Sequence, residues 1–196
     1  IELGKEILLQ ACVFLHEIEE EGMRDVTLSV NISVIQLVYD GFLRQIQWIL
    51  QQTKVNPHNI TLEITESVFL DDYIEMNRRL AKIRDLGIKI SIDDFGTGYS
   101  SLARERELMV DYLKIDKYFV DKILLEESIT ADIISMAHKL GHSVIAEGVE
   151  EQAQMDYLKD HKCNYVQGYY FSKPLEKKDA FQILNISSDL NGKLEE

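Results

Sequence analysis

Ile88-Lys89-Ile90-Ser91-Ile92-Asp93-Asp94-Phe95-Gly96-Thr97-Gly98-Tyr99-Ser100-Ser101-Leu102 is the stretch on which the reading of this chain turns. Its first half alternates isoleucine with polar residues, as a strand does when only one face is apolar, and its second half is a glycine- and serine-rich loop. Two carboxylates stand where strand becomes loop. If they share a space with other acids, each like-charged pair at about 4 Å costs roughly 4 kcal/mol at an effective dielectric near 20. A cation belongs between them, and oxygen donors favour a hard divalent one.

Outward from this stretch the same phrase repeats. Helical spacing of Leu3, Ile7, Leu8, Ala11, Phe14, Leu15 and Ile18 predicts a helix over 3–21, stopped by Gly22. Strands are predicted at 27–33, 60–66, 88–94, 111–116, 142–148 and 163–170. Helices are predicted at 34–52, with Ile35, Val38, Phe42, Ile46 and Ile49 on one stripe, and at 71–86, 127–140, 150–161 and 176–185. Gly87 and Gly141 serve as further helix stops. Strand followed by helix followed by strand demands parallel crossovers, so the class is α/β.

Side-chain parity narrows the choice. Ile60, Leu62 and Ile64 oppose Thr61, Glu63 and Thr65; Ile88, Ile90 and Ile92 oppose Lys89, Ser91 and Asp93; Leu113 and Ile115 oppose Tyr112, Lys114 and Asp116. A doubly wound sheet has helices on both sides and wants apolar residues on both faces. One greasy face and one polar face instead predict a TIM-like (β/α) barrel whose polar mouth lies at the strand C-terminal ends. About six of its eight βα units are present, and the remainder is expected before Ile1.

The chain of 196 residues reads as one domain over 1–186 with a polar, frayed tail at 187–196. Its net charge of −13 excludes a Lys/Arg-rich surface for duplex DNA or RNA. No apolar run is long enough to span a bilayer and no signal-peptide pattern is present. Cys12 and Cys163 have no ligand spacing and fit a reducing, cytoplasmic setting.

At the predicted strand tips stand Asn31, Glu63, Asp93, Asp94, Lys114, Glu147 and Gln167. Taken singly, a carboxylate there is more often a solvated rim residue or a helix cap. Six tips that agree in parity and position carry more. Oxygen donors without His or Cys suit Mg²⁺ or Mn²⁺ better than Zn²⁺, and two such ions roughly 3.5–4 Å apart are the usual equipment for phosphate-ester hydrolysis. Lys114 has a second reading as a structural ion-pair partner of Asp116 or Glu147. Asp94-Phe95-Gly96 also matches the kinase magnesium triplet, but the chain has neither a glycine-rich phosphate loop nor a His-Arg-Asp loop. The five histidines lack ligand spacing, and Tyr169, Tyr170 and Phe171 read as rim packing.

The chain resembles the EAL-domain cyclic di-GMP phosphodiesterases over nearly its whole length. The likeness rests on Asn31-Ile-Ser-Val-Ile-Gln36, Leu62-Glu-Ile-Thr-Glu66, the 93–102 stretch, Leu113-Lys-Ile-Asp116, Ala146-Glu-Gly-Val-Glu150 and Gln167-Gly-Tyr-Tyr-Phe-Ser-Lys-Pro174 in order. The resemblance implies that Asn31, Glu63 and Asp93 bind a first metal ion and that Asp94 helps hold a second. It implies that Lys114 positions or activates the attacking water, with Glu147 as a metal-site carboxylate and Gln167 near the site. Gln36 matches a ligand-contacting position, and Glu66 one that anchors the loop 95–102, which contributes to a homodimer face. The family's Glu-Ala-Leu strand, with its metal-binding glutamate and phosphate-binding arginine, is not in the chain. It is expected upstream, so the chain alone is expected to be a weak or inactive phosphodiesterase within a larger parent carrying sensor or cyclase domains. The alternatives are a catalytically degenerate cyclic di-GMP-binding or protein-interaction module, and a dimerisation scaffold.

Overall fold

The computed structural model describes residues 1–66, 73–95, 108–125 and 128–192, and the side chains among them other than those of Asp94 and residues 185–192. Six strands form one parallel sheet in chain order: β1 (Leu28–Asn31), β2 (Ile60–Thr65), β3 (Lys89–Phe95), β4 (Tyr112–Ile115), β5 (Ser143–Ala146) and β6 (Tyr165–Val166). Each strand pairs with the next through a crossover. This is the half-barrel arrangement of a TIM-like fold, as parity predicts, and its class is α/β, as the strand–helix–strand alternation predicts.

The α-helices among the described residues are α1 (Glu2–Glu20), α2 (Val34–Val38), α3 (Phe42–Thr53), α4 (Tyr73–Arg84), α5 (Lys117–Val120), α6 (Thr130–Leu140), α7 (Gln152–Asp160) and α8 (Lys177–Gly192). Leu8, Cys12, Leu15 and Ile18 form the buried stripe of α1, and Phe42, Ile46, Ile49 and Thr53 that of α3. With the buried faces of α4 (Met76, Leu80, Ile83) and α6 (Ile133, Ile134, Ala137), these stripes cover the outer face of the sheet, where Leu62, Ile90, Ile92, Leu113, Ile115 and Val144 are buried. The inner face is also buried, yet polar: Thr61, Glu63, Ser91 and Lys114 lie there.

Gly22, Gly87 and Gly141 take positive φ just past α1, α4 and α6, so the expected helix stops are observed. Several boundaries differ from the periodicity: the predicted strand 27–33 is Leu28–Asn31 and the predicted strand 163–170 is only Tyr165–Val166. The predicted helix 34–52 is two helices, parted at 39–41 after a capping box of Ser33 and Gln36 sets α2 on its own course. Ile35 is consequently 68 % exposed instead of buried. The last helix continues to Gly192, through much of the stretch read as a frayed tail. No helix among the described residues is long and apolar enough to cross a membrane.

Both cysteines are free thiols. Burial, and then the Glu19 charge, push the Cys12 thiol up to about 11. A low thiolate fraction and no access should slow its modification by a disulfide reagent at neutral pH by roughly a hundredfold relative to an exposed thiol. Titration with such a reagent should therefore register Cys12 only after denaturant is added; prompt labelling of Cys12 in the native protein would show that α1 does not pack as described.

Candidate active site

Strand register brings the expected side chains to one end of the sheet. Asn31 pairs with Glu63 and Thr65 with Asp93, placing the first three candidates at the C-terminal ends of consecutive strands on the inner face. At β3 the ladder changes step: Ile92 pairs with Leu113 and Phe95 with Ile115, so Asp93 and Asp94 together oppose the single residue Lys114. Such a bulge re-aims side chains. It returns Phe95 to the outer core, where it is 3 % exposed, although simple alternation would turn it inward. The side chain of Asp94 lies outside the described residues.

Lys114 is the centre of the cluster. Its ammonium, with a side chain 4 % exposed, donates to Glu63 Oε2 at 2.7 Å, lies 3.1 Å from Asp93 Oδ1, and pairs with Glu147 Oε1. It thus joins β2, its neighbour β3 and the residue after β5. Of the two readings open for this lysine, an ion-pair role with Glu147 is observed; Asp116 instead caps α5 by accepting the Tyr118 N–H at 2.9 Å. Gln167 follows β6 and donates from Nε2 to Glu147 Oε1 at 2.8 Å.

Three carboxylates around one ammonium leave an excess of two negative charges. Burial alone would pull the Lys114 pKa down, but hydrogen bonds to Glu147 and Glu63, together with their charges, outweigh it and hold the pKa above its ordinary value. Burial pushes the Glu147 carboxyl up; Lys114 draws it back, while Asp93 and Glu63 add to the rise. Among the described residues no three His, Cys, Asp or Glu side chains are grouped as ligands of a metal ion. The acids converge on the ammonium instead. Even so, an all-oxygen donor set with uncompensated negative charge fits a hard divalent cation.

The loop that holds Glu147 is built on close backbone contacts. Glu147 N–H donates to Ile115 O at 3.0 Å and Val149 N–H to Gln167 O at 3.0 Å, while Gly168 lies directly against the Val149 backbone. Lys117 seals the other side. It donates to Asp121, approaches Glu150 at 3.1 Å and the Gly148 carbonyl at 3.4 Å, and lies over the face of Gly148 where a Cβ would be. Its place right after Leu113-Lys-Ile-Asp116 was the one available hint of this role.

Two expected residues stand outside the ion-pair cluster. Gln36 closes the α2 capping box, its Oε1 accepting from Ser33 N–H at 3.2 Å, and its amide rests against Gly4 of α1. Glu66 is half-buried directly after β2. Most of the loop it was expected to anchor, from 96 to 102, lies outside the described residues. Tyr169, Tyr170 and Phe171 are substantially exposed after β6, with Tyr170 edge-on to Phe171 and its hydroxyl donating to Gln152.

A family model described as the EAL domain matches residues 1–174. The chain belongs to that family. Oxygen sensor protein DosP of Escherichia coli K12 is 36% identical over 180 residues, 90% of this chain and 22% of DosP. Cyclic di-GMP phosphodiesterase NbdA of Pseudomonas aeruginosa is 36% identical over 177 residues, 89% of this chain and 23% of NbdA. The chain therefore spans less than a quarter of either relative. The solved structure of the PaMucR phosphodiesterase in complex with c-di-GMP superposes with a TM-score of 0.86 at 31% identity, covering 91% of this chain and 74% of that one.

Proposed function

We propose that this EAL domain hydrolyses cyclic di-GMP to linear pGpG and requires a divalent metal, Mg²⁺ or Mn²⁺, as two ions. The observation that carries this reading is the convergence of Glu63, Asp93 and Glu147 on Lys114 at the strand ends, in a chain whose relatives include named cyclic di-GMP phosphodiesterases. Asn31, Glu63 and Asp93 would hold the first ion, Asp94 would help hold the second, and Glu147 would serve as a metal-site carboxylate. Bound there, the metal supplies a more acidic water and charge neutralisation on the phosphodiester.

The chain's own groups do the rest. Lys114, its pKa held up by Glu147 and Glu63, is protonated at neutral pH and acts as a hydrogen-bond donor and positive charge beside the phosphate, orienting the attacking water, not removing its proton. Water oxygen bonds to phosphorus, one bridging P–O bond breaks, and the departing ribose oxygen takes up a proton. Gln167 holds Glu147 in place, Gln36 contacts the dinucleotide, and Glu66 anchors the loop 95–102, which also forms the homodimer face. Sedimentation velocity reads that last assignment.

Chromatography of cyclic di-GMP incubated with the full-length protein and Mn²⁺ tests the proposal: pGpG should accumulate, stop on chelation and resume when metal is returned. Tight binding of the dinucleotide in Ca²⁺ with no pGpG in either Mg²⁺ or Mn²⁺ would make the domain a receptor instead.

A further inference from the structure

The short helix α2 leaves the sheet directly after Asn31 and Ser33, and Leu37, 2 % exposed, with Val34 beside it seats one face on the core. Five residues are too few for a helix to be stable unaided, and Ile35 and Val38 face solvent. Its course is therefore set also by its ends. At the first, Ser33 Oγ accepts the Gln36 N–H at 3.3 Å while Gln36 Oε1 accepts the Ser33 N–H, and the Gln36 amide rests on Gly4. At the second, an arginine from another helix reaches across. Arg79 of α4 donates from Nη1 to Leu37 O at 3.3 Å, from Nη2 to Asp40 Oδ1 at 2.9 Å and from Nε to Glu75 Oε1 at 2.8 Å.

The pair with Asp40, whose side chain is 91 % exposed, is worth little by itself. The Leu37 carbonyl is different. It is one of the C-terminal carbonyls that α2 cannot satisfy internally, and a largely shielded guanidinium, 23 % exposed, supplies the partner and a favourable charge. Only the planar fork of arginine serves three acceptors in fixed directions at once. The grip spans two βα connections, those leaving the strands of Asn31 and Glu63.

We propose that Arg79 is a positioning residue for the dinucleotide: by gripping the C-terminal end of α2 from α4, it fixes the capping box and sets the Gln36 amide at the ligand mouth. This rests on the reading that Gln36 contacts cyclic di-GMP.

The test compares Arg79→Met, Arg79→Lys, Gln36→Ala and the Arg79→Met/Gln36→Ala pair in the full-length protein, by steady-state kinetics with Mn²⁺ and by amide deuterium uptake. Arg79→Met should raise KM about three- to tenfold, the range spanned by the net worth of one ordinary hydrogen bond, and keep kcat within about twofold. The Mn²⁺ activation midpoint should stay put. Arg79→Lys should recover part of the KM, and the paired variant should be no worse than its worse parent, since both act through one contact. Deuterium uptake should rise over 34–40 and not over 130–146. An unchanged KM, or a kcat that falls in step with uptake raised everywhere, would overturn the proposal. Should the wild type neither bind nor cleave the dinucleotide, the functional reading itself has failed; uptake over 34–40 unaltered in Arg79→Met would then independently refute the grip.

Discussion

Lys114→Met should lower the unfolding free energy of the chelator-treated protein by about 3–5 kcal/mol, the usual cost of stripping one partner from a buried ion-pair group. Glu63, Asp93 and Glu147 all face that ammonium, and its loss leaves three acids with no counter-charge in a poorly solvated interior. Glu147, whose pKa burial already pushes up, also loses the charge that draws it back, so in the folded variant it lies above its value in the unfolded chain. A raised pKa gives stability that is complete below the unfolded value near ~4.3 and is lost as pH rises through the folded one. The deficit against wild type should therefore be large at neutral pH and shrink as pH falls toward 4.5. Lys114 itself, whose pKa is raised, loses its contribution only in strong alkali. Millimolar Mn²⁺ should restore much of the stability of the variant without restoring turnover. Urea titrations at two pH values, with and without metal, measure all of this. An equal deficit at both pH values would show that Lys114 acts through packing and not charge.

Gly168→Ala should cost about 1–3 kcal/mol in stability, as overpacking does, and at least about a hundredfold in kcat/KM. A Cβ at 168 would overlap the carbonyl oxygen and amide nitrogen of Val149, both backbone atoms with nowhere to go. Val149 is locked in turn, its N–H donating to Gln167 O and its carbonyl accepting from Tyr170. The strain must move the segment bearing Glu147, or that bearing Gln167, whose side chains meet at 2.8 Å. Gly141→Ala is the informative contrast. Its φ of +91 makes alanine strained by about 1–2 kcal/mol, but nothing lies within reach of the added carbon. That variant should lose stability and keep its kcat/KM. Similar activities for the two variants would show that the close approach at Gly168 does not transmit to the acids.

The strands and their order were legible because isoleucine alternating with polar residues is a strong signal, and because Gly22, Gly87 and Gly141 mark helix ends by backbone need alone. Parity also found Glu63, Asp93 and Lys114 on one face. What it could not find was the bulge. Phe95 breaks the alternation of 88–93, and only an extra residue opposite Lys114 lets it return to the core. The break at 39–41 was hidden for a related reason: Ile35 and Val38 fit an apolar stripe, but α2 buries Leu37 instead and takes its course from Ser33, Gln36 and Arg79. The contact of Arg79 with α2 was not legible, and that of Lys117 only through its place after the 113–116 motif, since each acts on backbone atoms from another element and neither leaves a periodic trace.

The sheet order has a consequence for how the chain assembles. Because every strand neighbours its successor, a nascent chain can add strands one by one as they emerge. Glu63 and Asp93 then arrive before the lysine that neutralises them. A precursor that ends at β3 carries unrelieved repulsion at its growing edge, and docking of β4 discharges it. Synthesis halted after β3 should leave a poorly protected nascent chain, and the commitment to fold should fall at β4.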